Sequence, residues 1–155
     1  MNLYLLRHAD ANTEADTDDA RPLSEKGVAQ AKRVACFCEA HGIEPGLVLS
    51  SPIRRAHETA VIFAKQLNAE IEVVSWLACG ADPATVEREL QKYRDQDSVA
   101  LVGHEPDFSG IAAHLLGLPS PESIRIRKAS LTLLELDTIR AKSARLQFSM
   151  PCRLT

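Results

Sequence analysis

Leu3-Tyr4-Leu5-Leu6 runs directly into Arg7-His8. The four apolar residues show no polar alternation, which suits a strand covered on both faces by helices. Leu47–Leu49 and Val99–Val102 share that character, and Ile71–Val74, interrupted by Glu72, is read as a fourth interior strand. Helical patterns lie between them. The first opens at Ser24 behind Leu23, carries an apolar stripe of Val28, Ala31 and Ala35, and stops at Gly42. A second is expected from Ser51-Pro52, with proline in the first turn, through Ala56, Ala60 and Phe63. Asp82-Pro83 is an N-cap and N1 pair for a third, followed by Val86, Leu90 and Tyr93. A fourth begins near Pro106 and ends at Gly117.

Strand-helix alternation of this kind predicts an α/β fold, a three-layer α/β/α sandwich around a mostly parallel central sheet. The helical period disappears after Gly117. Ile124–Ile126, Ser130–Leu136 and Ala144–Met150 read as antiparallel strands completing the sheet. No repeat or linker divides the chain, so residues 1–155 are expected to form one domain.

The totals exclude several functions. With a net charge of -3 the chain lacks the basic balance of most nucleic-acid binders. No apolar run approaches the ~20 residues of a membrane span. The short apolar stretch before Arg7 is no signal peptide, so a cytoplasmic location without membrane contact is expected. The four cysteines contain no C-x-x-C pair and read as reduced, buried thiols rather than a metal site.

The chemistry is expected where the strands end. The first run delivers Arg7 and His8. The second leads into Ser50-Ser51-Pro52 with Arg54-Arg55 one turn later, and the last into Gly103-His104-Glu105-Pro106. In open parallel sheets the ligand crevice lies beyond the carboxyl ends of the strands. A single arginine or histidine there is ordinarily a solvated cap. Three strand ends repeating the pattern point instead to a cationic pocket. Arginine forks match phosphate oxygens, and a neutral imidazole can attack phosphorus.

LYLLRHADA, SSPIRRAHETA and LVGHEPD, in that order, resemble the three signature blocks of the histidine phosphatase (phosphoglycerate mutase-like) superfamily. Arg21-Pro22-Leu23-Ser24 with Gly27, and Phe148–Cys152, are similar to its small SixA-type phosphohistidine phosphatases. The resemblance covers residues 2 to about 152. It implies that His8 is the nucleophile and forms phosphohistidine, while Arg7, Arg55 and His104 bind the phosphoryl oxygens. It also implies that neither a metal nor any other cofactor is needed. No segment between the strands is long enough for the helical lid of larger relatives, so the pocket should admit a phosphohistidine on another protein, such as a phosphorelay domain. Arg21 either reaches the phosphate or pairs with Asp16, Asp18 or Asp19.

The proton donor has two candidates: Glu105, directly after the second histidine, and Asp82, in the loop after the third strand. Each also has a local role available, Glu105 at a helix dipole and Asp82 as an N-cap. His41, His57 and His114 are assigned no role. A small-molecule phosphomonoesterase and a catalytically idle phosphate-binding module are the competing functions. A mutase fits less well without a lid to hold its intermediate.

Overall fold

The computed structural model describes residues Met1–Thr155. Six strands, β1 (Asn2–Arg7), β2 (Leu47–Ser50), β3 (Glu70–Val73), β4 (Ser98–Gly103), β5 (Leu131–Leu136) and β6 (Ala144–Met150), form one sheet. The spatial order is β3-β2-β4-β1-β5-β6. The first four are parallel to one another; β5 runs antiparallel beside β1, and β6 antiparallel beside β5. Four helices alternate with the strands: α1 (Glu25–Ala40), α2 (Arg54–Leu67), α3 (Pro83–Leu90) and α4 (Asp107–Leu116).

The two-residue period of β1 sorts its side chains between two cores. Tyr4 and Leu6 join Val34, Ala35, Ala60 and Phe63 beneath α1 and α2. Leu3 and Leu5 join Val86, Leu90, Phe108 and Ile111 beneath α3 and α4. This is the expected three-layer sandwich, with antiparallel C-terminal strands and no helical lid. No helix is long and apolar enough to cross a membrane.

Four expectations change. The run Ile71–Val74 is not covered on both faces: β3 is an edge strand with Ile71 and Val73 exposed. Helix α2 starts at Arg54 rather than at Ser51-Pro52. The Ser51 hydroxyl accepts the Ile53 N–H (3.2 Å), forming a tight turn that delays the helix. Ile124–Ile126 forms no strand, because the Ile126 carbonyl accepts a hydrogen bond from Arg7 (3.0 Å) instead of pairing along the sheet. Of the four free thiols, Cys38 and Cys152 are buried but Cys36 and Cys79 are exposed. Cys36 lies off the inward face of α1, and Cys79 lies in the open loop after β3.

One close approach orients the loop after β1. Gly27, in the first turn of α1, meets the Asp10 backbone so closely that a Cβ would lie 1.9 Å from its carbonyl oxygen. Ser24 caps α1 by accepting the Gly27 N–H (3.0 Å), and its own N–H donates to the Asp10 carbonyl (3.1 Å). The chain leaving His8 is thereby pinned to the helix.

Candidate active site

The parallel register sets Arg7 beside Gly103, and Ser50 beside Val102. The residues following these three adjacent strand ends therefore emerge together. The His8 N–H donates to the Gly103 carbonyl (2.9 Å), and the Ser51 N–H to the Val102 carbonyl (2.9 Å). His8 and His104 come within 5.2 Å between ring centroids. Both are buried, at 7% and 2% exposure, as is Arg55 at 6%. Of the two adjacent arginines, Arg55 turns inward, while Arg54 faces solvent and pairs with Glu58 (2.8 Å).

Hydrogen bonds settle the state of His8. Its Nδ1 lies 2.8 Å from the Ala9 carbonyl oxygen, which can only accept. Nδ1 therefore carries the proton, and Nε2 keeps its lone pair. Burial pushes the imidazole down to about 4, with His104, Arg55 and Arg7 adding to the effect and the Ala9 carbonyl opposing it. At neutral pH His8 is an uncharged ring with a free basic nitrogen. Burial, then Arg55, brings His104 to about 4 as well, against the opposing pull of Asp19 and Asp18. His104 Nε2 lies 2.8 Å from the Ser51 hydroxyl, and its Nδ1 has no protein partner.

Ser51 and Thr59 were not singled out from the sequence. Thr59, fully buried, accepts the Ala9 N–H (3.1 Å) and donates to the Arg55 carbonyl (2.7 Å), tying α2 to the loop after β1. Both lie within SSPIRRAHETA, but only the fold reveals what they hold. A further unforeseen contact is that of Arg55 with Asp18. Its carboxylate joins Arg55 (3.0 Å) and Arg21 (2.8 Å), and its backbone carbonyl accepts from Arg55 (2.8 Å). Arg21, then Arg55, hold the Asp18 carboxyl below its ordinary value. The pairing of Arg21 with Asp18 is thus present. Arg55 also donates to the Cys79 sulfur (3.7 Å).

The two acid candidates have different surroundings. Asp82 caps α3 by accepting the Thr85 N–H (2.8 Å), and that bond holds its carboxyl below the ordinary range. Glu105 accepts from the Ser109 hydroxyl (2.8 Å) and shares a cleft with Arg7. Burial pulls the Arg7 guanidinium down, and the Glu105 carboxylate works against that pull. His114 pairs with Glu87, and His41 bonds the Phe37 carbonyl, both away from the strand ends.

The arrangement combines a basic ring nitrogen, two guanidinium groups and a second neutral imidazole, a set able to bind and accept a phosphoryl group. Comparison with known proteins gives a consistent result. Residues 3–78 match the histidine phosphatase superfamily (branch 1). The phosphohistidine phosphatase SixA of Escherichia coli is 30% identical over 138 residues, spanning 86% of this chain and 86% of that protein. An uncharacterised protein of Picosynechococcus is 32% identical over 154 residues, 95% of this chain and 89% of its own. Among solved structures, the protein histidine phosphatase SixA complexed with tungstate superposes with a TM-score of 0.90, at 26% identity and 100% coverage of both chains.

Proposed function

The chain belongs to the histidine phosphatase superfamily, and we propose that it hydrolyses phosphohistidine on a partner protein through a covalent phospho-His8 intermediate. The observation that carries this reading is the Nδ1 bond of His8 to Ala9, which leaves Nε2 as an uncharged nucleophile among Arg7, Arg55 and His104. Nε2 attacks phosphorus, the substrate P–N bond breaks, and the departing imidazole nitrogen takes up a proton. Water then cleaves the new P–N bond, releasing inorganic phosphate and restoring His8. The guanidinium groups of Arg7 and Arg55 and the His104 imidazole stabilise the equatorial oxygens, where charge spreads in the transition state.

Glu105 is the better proton donor on position, because it lies in the cleft with Arg7. The Asp82 carboxylate is committed to capping α3. A departing imidazole nitrogen is easily protonated, so the step makes modest demands on the acid. Two fixed positive charges take the role that a metal ion has in other phosphoryl transfers, so the reaction proceeds without metal or cofactor. Residues 1–155 act as one domain, since both cores share a single sheet. A cytoplasmic setting suits the four free thiols, and a phosphorelay domain is the natural kind of partner.

The test assays the purified protein in EDTA against a phosphohistidine-bearing phosphotransfer domain and a panel of sugar phosphates and nucleotides. The phosphoprotein should be favoured in kcat/KM by about 100-fold, roughly 2.7 kcal/mol of transition-state stabilisation. Equal efficiency on a small phosphate ester would establish a phosphomonoesterase instead, and loss of activity with EDTA would establish metal dependence.

A further inference from the structure

At Arg7 the surface opens into a cleft of ≈ 630 Å³ that shares Arg7 and Glu105 with the site. One wall is the segment between the turn at Pro121–Ser123 and β5. That segment is anchored rather than loose. Ile126 is buried, and its carbonyl accepts from Arg7 (3.0 Å). The Ala129 N–H bonds the carbonyls of Arg7 (3.1 Å) and His8 (3.2 Å), and Ser130 closes a turn onto the Arg127 carbonyl. With Ile126 fixed inward, its neighbours Arg125 and Arg127 stand out into solvent on either side.

The charge balance of this cleft is unlike that of the chain. Lys128 is neutralised by Asp10 (2.8 Å), and Glu105 offsets Arg7. Among the lining residues that leaves Lys26, Arg125 and Arg127 against Glu122 alone. A cationic surface beside the site is therefore set into a chain of net charge -3. Apart from two prolines, the lining offers only Ile124 and Ile126 as apolar side chains. Small-molecule pockets are lined mostly by apolar groups, so this cleft suits a broad polar surface better than a metabolite.

We propose that Arg125 and Arg127, with Lys26 of α1, form the docking surface for an acidic face of the phosphohistidine-bearing partner, an inference that rests on the functional reading above. The partner's phosphohistidine enters over His8 while carboxylates flanking it lie along the Arg125–Arg127 strip. The strip is held to the backbone of Arg7 and His8, so docking there sets the phosphorus in register with the nucleophile. Rim charges of this kind act mainly on association rate and on its salt dependence.

The test compares the wild-type chain with the double variant Arg125→Glu, Arg127→Glu on two substrates. One is a phosphohistidine phosphotransfer domain with acidic residues around its histidine; the other is phosphoimidazole, which has no protein surface. Charge reversal should lower kcat/KM for the phosphoprotein by about tenfold or more at low salt, flatten its salt dependence, and change phosphoimidazole hydrolysis by less than about twofold. The double variant Arg125→Lys, Arg127→Lys should retain most of the activity, which separates charge from folding. Equal losses on both substrates, or no loss on the phosphoprotein, would overturn the docking surface alone. A wild-type chain that cleaves phosphoimidazole but not the phosphoprotein would overturn the functional reading and the docking surface with it.

Discussion

The floor of the site and its rim are built on different principles. The floor consists of His8, His104 and Arg55, each less than a tenth exposed, delivered by adjacent parallel strands and the start of α2. Its groups are held by buried bonds to Ala9, Ser51 and Thr59. The rim consists of the loop carrying Asp18 and Arg21 and the segment carrying Arg125 and Arg127, whose charged groups reach solvent. Buried groups, shielded from water and locked in place, are where charge and position have large energetic consequences. Exposed charges contribute little individually and are screened by salt. The floor should therefore govern chemistry, and the rim affinity and partner choice.

The largest effect should come from the nucleophile. His8→Ala should lower kcat by about a thousandfold or more while circular dichroism stays native. A quenched wild-type reaction should hold acid-labile, alkali-stable phosphate on His8. Residual activity above about a hundredth of wild type would remove His8 from the covalent role. Arg55→Ala comes next, with a loss on the order of a hundredfold in kcat/KM, as expected for deleting one preorganised donor to the developing charge. A change of only a few-fold would move Arg55 from the floor to the rim in energetic terms.

Acid offers a third separation. The proposed nucleophile His8 is a neutral imidazole, its pKa lowered from 6.5 to about 4. The pH profile of kcat/KM should therefore stay level through neutrality and fall about tenfold per unit only below about 4. Folding stability should respond earlier. The folded His8 and His104 resist protons that the unfolded chain accepts, so stability is present above about 6.5 and declines as pH falls towards about 4. Each histidine can contribute up to about 3 kcal/mol to that decline. Rate loss beginning near pH 6.5 would show that His8 is neither as buried nor as neutral as its contacts require.

The smallest effect should lie at the rim. Asp18 places a carboxylate on Arg55, where a phosphoryl oxygen would compete for the same guanidinium. Asp18→Asn should therefore tighten inhibition by vanadate or inorganic phosphate about two- to fivefold, the range expected for one exposed ion pair. Weaker inhibition would show that Asp18 serves to hold Arg55 in place.

The floor was also the legible part of the sequence. Leu3–Leu6 and Val99–Val102 are continuous apolar runs, a pattern imposed by burial on both faces, and the polar residues ending them had to emerge at one sheet edge. Asp82-Pro83 read as the helix start that it is, because capping is a local interaction. Where the outcome depended on neighbours distant in the chain, the sequence was silent or misleading. Glu72 inside Ile71–Val74 argued against cover on both faces, but that β3 lies at the sheet edge is decided by the whole sheet. Ile124–Ile126 alternates like a strand, yet its carbonyl is taken by Arg7, 119 residues away in sequence.

The order of apolar runs and turn residues thus determined the α/β architecture and the meeting of Arg7, His8, Arg55 and His104, because periodicity and capping act within a few residues. Tertiary structure alone decided which nitrogen of His8 is free, that Ser51 and Thr59 brace the site, that Asp18 faces Arg55, and that Arg125 and Arg127 stand beside Arg7. The His8 bond is to the neighbouring Ala9, held by the backbone path after β1; the others depend on contacts between segments far apart in the chain, which exist only once the sheet has assembled.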